Sequence, residues 1–389
     1  MSKIVAIITE YNPFHNGHKY QIDKIREEIP DSTIIAIMSG NVVQRGDFAF
    51  ADKYARAEMA IKSGIDAVFE LPFPYSCSTA VIFASAGVEL ASKLGAEYLY
   101  FGIENNSLEA LEAIANAINS EEFEKQIKAI SNKESLSYPV LREKALSKMG
   151  IKISKLSNDM LAIEYIRAIK NKKLSLEYKA IKRVGAGYKD TSVCEIMSAS
   201  AIRDNYYKNN TLLSIPKEAR EVLENEINEG RINNKNATNN FILANALLLS
   251  PKEIEKCFDA PNGMGYYILD CAKKCKNASA FTDELSSKNY TTARLKRALI
   301  YSLFKIENIN KSVDFTVLLG ANEKGKQIIK QARKNEGITV ITKHADSKKL
   351  GEASKEIYEK GLKADELFAT LCIKSYSPDI AYKKTPYIN

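Results

Sequence analysis

The chain has 389 residues, 45% of them hydrophobic, which is long for one ordinary domain and apolar enough for sizeable buried cores. No apolar run approaches the roughly 20 residues needed to cross a bilayer, and the opening MSKIVAII carries no cleavage signature, so a mature cytoplasmic protein is expected. The net charge of +8 excludes an acidic, disordered chain and is unevenly spread: residues 1–204 hold 26 basic and 26 acidic side chains, whereas residues 205–389 hold 30 and 22. That asymmetry fits either ordinary solvated helix faces or a polyanion-binding second half.

Four short apolar runs, Lys3–Thr9, Thr33–Ser39, Asp66–Pro72 and Glu97–Gly102, are β-branched or aromatic and end in Gly, Pro or polar residues. Runs of that kind form strands covered on both faces. Between them Gly17–Glu28, Asp52–Ser63 and Ser78–Leu94 have helical spacing. Strand–helix repeats of this length imply right-handed crossovers and a parallel, doubly wound sheet, with chemistry expected in the loops after the strands. Leu108 to about Lys148 reads as helices. So does Ser157–Lys170, with Met160, Leu161, Ile163, Ile166 and Ile169 at apolar positions. EYKAIKRVG (residues 177–185) reads as a last strand, and SASAIRD (residues 198–204) as a helix start capped by Ser198 or Ser200.

Past Asp204 the texture changes. The Asn-rich stretch Asn228–Asn240 reads as a loop among helices at Lys217–Ile227, Phe241–Ser250, Gly265–Lys274 and Thr291–Ile306. A small β-α-β element is expected near Asp314–His344. Six cysteines without a secretory signal suggest free thiols, with Cys271 and Cys275 expected as buried thiols one helical turn apart. The expected fold class is α/β: a Rossmann-like, doubly wound parallel-sheet domain over residues 1–204, followed by a mostly helical, basic region over residues 205–389.

Two of the three histidines, His15 and His18, fall within four residues of each other where the first strand gives way to a helix. There, backbone N–H groups and the positive end of the helix dipole point at any bound phosphate. Gly17 allows close backbone approach, Pro13 fixes the preceding turn, and two imidazoles three residues apart can face one ligand. A zinc pair lacks partners, and two merely structural histidines leave Pro13 and Gly17 without a reason. Phosphate handling accounts for all four residues.

His15-Asn16-Gly17-His18 matches the HxGH motif of the nucleotidyltransferase superfamily, and SASAIR resembles that superfamily's second phosphate element. The blocks ITEYNPFHNGHKYQI, SGNVVQRGDFAFADKYARAEMAI, ELPFPYS, FGIE and SNDMLAIEYIRAI, in that order, resemble the bacterial tRNA(Met) cytidine acetate ligase family over at least residues 3–204. The resemblance implies that ATP and acetate yield acetyl-adenylate, and that the acetyl group passes to the exocyclic amine of the wobble cytidine of elongator tRNA(Met). It implies His15, His18 and Arg203 as catalytic residues, with a magnesium ion on the phosphates. The implied ATP site comprises Ile7, Ile8, Thr9, Glu10, Tyr11, Asn12, Pro13, Phe14, His15, Asn16, Gly17, His18, Lys19 and Tyr20, with Gly102, Asn158, Arg183 and Ser200. Gly40, Gln44 and Arg45 form either a candidate substrate loop or one that merely connects, and the basic second half would hold the body of the tRNA, whose anticodon loop is the substrate, through its phosphates. Asn158 could equally be a plain helix cap. The family often has Glu-Pro where this chain has Asp47-Phe48, and Pro where it has Ser157. A small-molecule adenylyltransferase is the alternative within this fold, and a non-catalytic RNA-binding protein the alternative outside catalysis. The long basic region argues against the first and the two intact phosphate motifs against the second.

Overall fold

A computed structural model describes residues 2–133, 136, 138–152, 156–183, 196–286, 290–334 and 337–389, with backbone alone for 284, 380 and 381. The chain opens with β1 (Ile4–Thr9), α1 (Asn16–Glu28), β2 (Thr33–Ser39), α2 (Lys53–Lys62), β3 (Ala67–Leu71), α3 (Ala80–Lys93) and β4 (Tyr98–Ile103). The helices α4 (Leu108–Ile118), α5 (Glu121–Ser131), α6 (Tyr138–Lys148) and α7 (Ser157–Asn171) follow, then β5 (Glu177–Lys182) and α8 (Ala199–Asn209). Of the expected strand at 177–185, residues 184 and 185 lie outside the described residues.

The strands β1 to β5 pair in the order β5-β4-β1-β2-β3, all parallel. Strand β2 is buried at every position, as continuous apolar sequence covered on both faces requires. The order reverses between β1 and β4, and such a switch point is where doubly wound sheets bind ligands. Fully buried Arg56 of α2 holds the ends of two of these strands. Its guanidinium donates to the carbonyls of Glu10 (2.5 Å), Ser39 (3.1 Å), Gly40 (2.6 Å) and Ala51 (2.9 Å).

The second half runs through α9 (Lys217–Asn228), α10 (Lys235–Leu248), α11 (Pro251–Glu255), α12 (Met264–Lys274), α13 (Ala278–Glu284) and α14 (Thr292–Phe304). It then returns to the sheet as β6 (Phe315–Ala321), α15 (Glu323–Ala332) and β7 (Thr339–Ile341). It ends in a 3-10 turn (His344–Lys349), α16 (Glu352–Thr370), α17 (Ile380–Lys383) and β8 (Tyr387–Ile388).

The sheet therefore runs past residue 204. β6 pairs antiparallel with β3 and parallel with β7 and β8, completing eight strands. The Asn-rich stretch is a loop only as far as Asn234, whose side chain caps α10 by accepting from the N–H groups of Asn236 (3.1 Å) and Ala237 (3.2 Å). A strong cap at the start of an otherwise polar segment turns it into helix. Cys271 and Cys275 are half-buried rather than buried.

Three apolar cores hold the parts together. One packs α3, α4, α7 and α15 on one face of the sheet, and a second packs α1, α2, α8 and α9 on the other. The third joins α10 to α14 and α16, and takes in Val42, Phe48 and Phe73 from the loops after β2 and β3. Those loops are thus clamped between the sheet and the helical part. A buried ion cluster reinforces the junction: Lys53 of α2 reaches Glu70 of β3 (2.8 Å) and Asp365 of α16 (2.6 Å).

Candidate active site

A cavity of about 630 Å³ opens at the switch point, lined by the ends of β1 and β4, the first turns of α1, α7 and α8, the loop after β2, and α10, α13 and α14. The α1 entry shapes its floor. The Gly17 N–H donates to His15 Nδ1 (3.0 Å) and the His15 N–H donates to His18 Nδ1 (3.2 Å), so the two imidazoles form a reciprocal cap. A ring nitrogen that accepts carries no proton, so each neutral imidazole holds its hydrogen on Nε2. The rings stack with centroids 3.7 Å apart.

Burial pushes His15 down to about 3, with the positive charge of Arg183 adding to the shift. It pushes His18 well below its usual value too, with His15 and Arg183 contributing. Both rings therefore stay neutral at physiological pH and present ε N–H donors. A Cβ on residue 17 would lie 2.9 Å from His15 Cε1, which is why the motif needs glycine between its histidines.

Two other elements dock on this turn. Ser198 caps α8 by accepting from the Ala201 N–H (3.2 Å), which settles the choice between Ser198 and Ser200. Arg203 donates to the Asn12 carbonyl (2.5 Å) and to Ser200 Oγ (3.3 Å), fastening the SASAIR element to the HxGH turn. On the other side Asn158 leaves α7 uncapped, whose N-cap position is Leu156. Its amide instead donates to Glu104 (2.6 Å) and accepts from Arg183 (3.4 Å). Buried Asp159 accepts from the Glu104 N–H (2.7 Å) and from the Asn106 amide (2.8 Å), setting the loop after β4. Gly102 lies against Arg183, whose Cγ would be 3.0 Å from an added Cβ.

Of the residues singled out in the sequence, the cavity wall contains Ile8, Thr9, Glu10, Tyr11, Asn12, His15, His18, Gly102, Asn158, Arg183, Ser200 and Arg203, together with Gln44 and Arg45. The others stand behind it. Ile7 and Phe14 belong to the sheet core, Pro13 is buried, and the Asn16 N–H donates to the Ser214 carbonyl (2.8 Å). Lys19 pairs with Asp23, and Tyr20 lies under the Lys24 ammonium. Gly40 is turned from the cavity, its carbonyl taken by Arg56 and its Cα facing Glu70.

The loop after β2 bridges the two halves of the site. Gln44 N–H donates to Glu10 (2.9 Å), Arg45 donates to Ser157 (2.8 Å) and Lys296 of α14 pairs with Asp47 (2.9 Å). Asp47, on the loop itself, and Ser157, its partner at the start of α7, thus both take part in holding the loop. Gly46, at φ +79°, presses its backbone onto α14, where an added Cβ would come within 2.7 Å of the Arg297 nitrogen. Beyond the loop the wall is made by Lys235, Thr238, Asn239, Thr282, Asp283 and Lys296. Sequence reading missed these residues, because the Asn-rich segment gave no motif and nothing local ties α13 to the sheet. Among the described residues no group of three or more His, Cys, Asp or Glu side chains is arranged to hold a metal. No described helix is long and apolar enough to cross a membrane.

The family model described as HIGH Nucleotidyl Transferase matches residues 2–382. The tRNA(Met) cytidine acetate ligase of Thermosipho melanesiensis is 34% identical over 359 residues, covering 87% of this chain and 84% of that protein. The enzyme of the same name from Halothermothrix orenii is 32% identical over 396 residues, covering 94% and 93%. Among solved structures, Thermotoga maritima TmcAL bound with alpha-thio ATP superposes with a TM-score of 0.89 at 27% identity over 99% of both chains. Its apo form gives a TM-score of 0.90 at 28% identity.

Proposed function

The chain belongs to the tRNA(Met) cytidine acetate ligase family of HIGH nucleotidyl transferases, and from that premise we propose which of its residues carry each half of an ATP-dependent acetate ligase reaction. In the first half, an acetate oxygen attacks the α-phosphorus of ATP and the α–β phosphoanhydride bond breaks, releasing pyrophosphate and leaving acetyl-adenylate. The group that must be stabilised is negative charge on the α-phosphoryl and bridging oxygens. The ε N–H donors of His15 and His18, fixed by backbone caps before substrate arrives, supply it without reorganisation. Arg203 and Arg183, which line the same cavity, add positive charge. A magnesium ion, if it comes with the nucleotide, would supply further charge stabilisation at the phosphates. The adenosine lies along Gly102 and Asn158, whose amide is already oriented by Glu104.

In the second half, the wobble cytidine of the tRNA anticodon loop presents its exocyclic amine to the acetyl carbonyl. The C–N bond forms, the amine loses a proton, and AMP departs with the carboxylate oxygen it acquired. A single-stranded loop allows the base to be brought out of its stack at low cost. Gln44 and Arg45 stand where the two substrates meet, and the cytoplasm holds all three reactants.

The observation that carries this reading is the pair of neutral, pre-capped histidines in one cavity with Arg203. The test is to incubate the protein with labelled acetate and bulk tRNA, with and without ATP. Label entering tRNA only with ATP supports the reading. ATP turnover without label in tRNA points instead to a small-molecule adenylyltransferase, and no turnover to a binding protein.

A further inference from the structure

Helix α10 turns Ile242 and Ala246 into the helical core, and Asn239 stands on the same stripe, three residues before Ile242. An apolar residue is expected at such a position. Asn239 is instead 7% exposed, it lines the cavity, and its amide nitrogen is enclosed without a hydrogen-bond partner. Apart from exposed Lys235, its polar neighbours on this side of the cavity are already engaged, Asp283 accepting from the Ser279 hydroxyl (3.1 Å). Thr238 exchanges hydrogen bonds with Asn233, the Thr282 hydroxyl donates to the Ala278 carbonyl, Lys296 pairs with Asp47, and the Tyr207 hydroxyl donates to the Asn233 carbonyl. A buried donor without an acceptor is costly, and one that also lines a cavity is a candidate for completion by what binds there.

We infer that Asn239 reads the Watson–Crick edge of the base to be acetylated. The inference rests on the functional reading above and names the contact that selects the base. Cytosine presents two adjacent acceptors, N3 and O2, beside its amine. An amide donor directed at those acceptors holds the ring and leaves the amine free to attack. Uracil carries a hydrogen on N3, which would face the amide donor, so the same contact rejects it. Asn239 belongs to an element of the second half and lines the same cavity as the histidines, so base and adenylate would meet inside it. Lys235, exposed at the start of the same helix, is placed for a flanking phosphate.

The test compares wild type, Asn239→Leu and Asn239→Asp in two assays: acetate-dependent ATP–pyrophosphate exchange without RNA, and acetyl transfer to tRNA(Met) transcript. A transcript with uridine at the wobble position serves as competitive inhibitor. Asn239→Leu should keep exchange within twofold of wild type, which also reports its folding, and lower kcat/KM for transfer about 10- to 100-fold. Asn239→Asp, which replaces the donor by an acceptor, should lose or invert the preference for the cytidine over the uridine transcript. Transfer within twofold of wild type in both variants overturns the inference. So does a parallel fall in exchange and transfer, or a raised KM for acetate with base preference intact. If wild type itself acetylates no tRNA while exchanging pyrophosphate, the functional reading has failed and this inference falls with it.

Discussion

His15 and His18 stack at 3.7 Å, yet neither ring bonds to the other: each spends its δ nitrogen on a backbone N–H of the turn that carries them. The cap that starts α1 is thereby the device that aims two ε N–H donors into the cavity. Helix initiation uses one end of each ring, and the proposed transition-state stabilisation would use the other.

The two uses can be separated by substitution. Asparagine at residue 15 retains an acceptor where Nδ1 stood and loses the ε donor. His15→Asn should therefore unfold within about 1 kcal/mol of wild type in urea while acetate-dependent pyrophosphate exchange falls about 10²- to 10³-fold. His18→Ala should abolish exchange and leave tRNA affinity nearly unchanged, because phosphate contacts by distant Lys and Arg residues dominate that affinity. Filter binding of labelled tRNA alongside the exchange assay checks both.

The low pKa of His15 has a stability consequence. Unfolded, the ring takes a proton near pH 6.5; folded, it stays neutral down to about 3. A depressed pKa contributes stability that is complete above pH 6.5 and is lost as pH falls toward 3. Between pH 7.5 and 5.5 wild type should lose about 1.4 kcal/mol through this ring alone. Urea midpoints of wild type and His15→Asn at the two pH values should diverge by that amount, with the variant less sensitive to acid.

Lys53 lies 6% exposed between Glu70 and Asp365, tying α2, β3 and α16 together. Removing one partner from a buried ion cluster leaves charge without compensation. Lys53→Met should cost about 3–5 kcal/mol in urea unfolding. Hydrogen exchange should show the loss of protection concentrated in residues 352–370, whose helix carries Asp365.

Gly46 combines φ +79° with backbone contact to α14, so its replacement strains the chain whichever way it relaxes. Gly46→Ala should destabilise by about 1–3 kcal/mol and displace Gln44 and Arg45 from the cavity. Acetyl transfer to tRNA should fall more than pyrophosphate exchange, since the histidines lie on a different turn. Equal losses in both would place the loop in the first step as well.

The parts of the fold legible in the sequence are those written locally. Strands β1 to β4 are continuous apolar runs bounded by turn residues, and α1 opens on a motif whose glycine and histidines constrain one another. Strand β6 reads as a strand, but nothing in its sequence says that it pairs with β3, some 250 residues earlier and antiparallel. The first turns of α10 were hidden because asparagines that signal a loop in isolation include the residue that caps the helix. Asn158 reads either as an ATP-site residue or as a plain cap; the structure excludes the cap and makes it a bridge between Glu104 and Arg183, which the position of β5 brings into reach. The histidine side of the cavity is thus legible in motifs, whereas Asn239, Thr282 and Lys296 come together only through the third core.

In the proposed reaction acetate attacks the α-phosphorus of ATP before the acetyl group reaches tRNA. Acetate labelled in both oxygens with oxygen-18 tests it in one reaction. If acetyl-adenylate forms, one heavy oxygen remains on the phosphate after transfer, and mass spectrometry of the nucleotide product should show AMP carrying a single oxygen-18 atom. Unlabelled AMP, or ADP accompanied by labelled inorganic phosphate, would contradict the account.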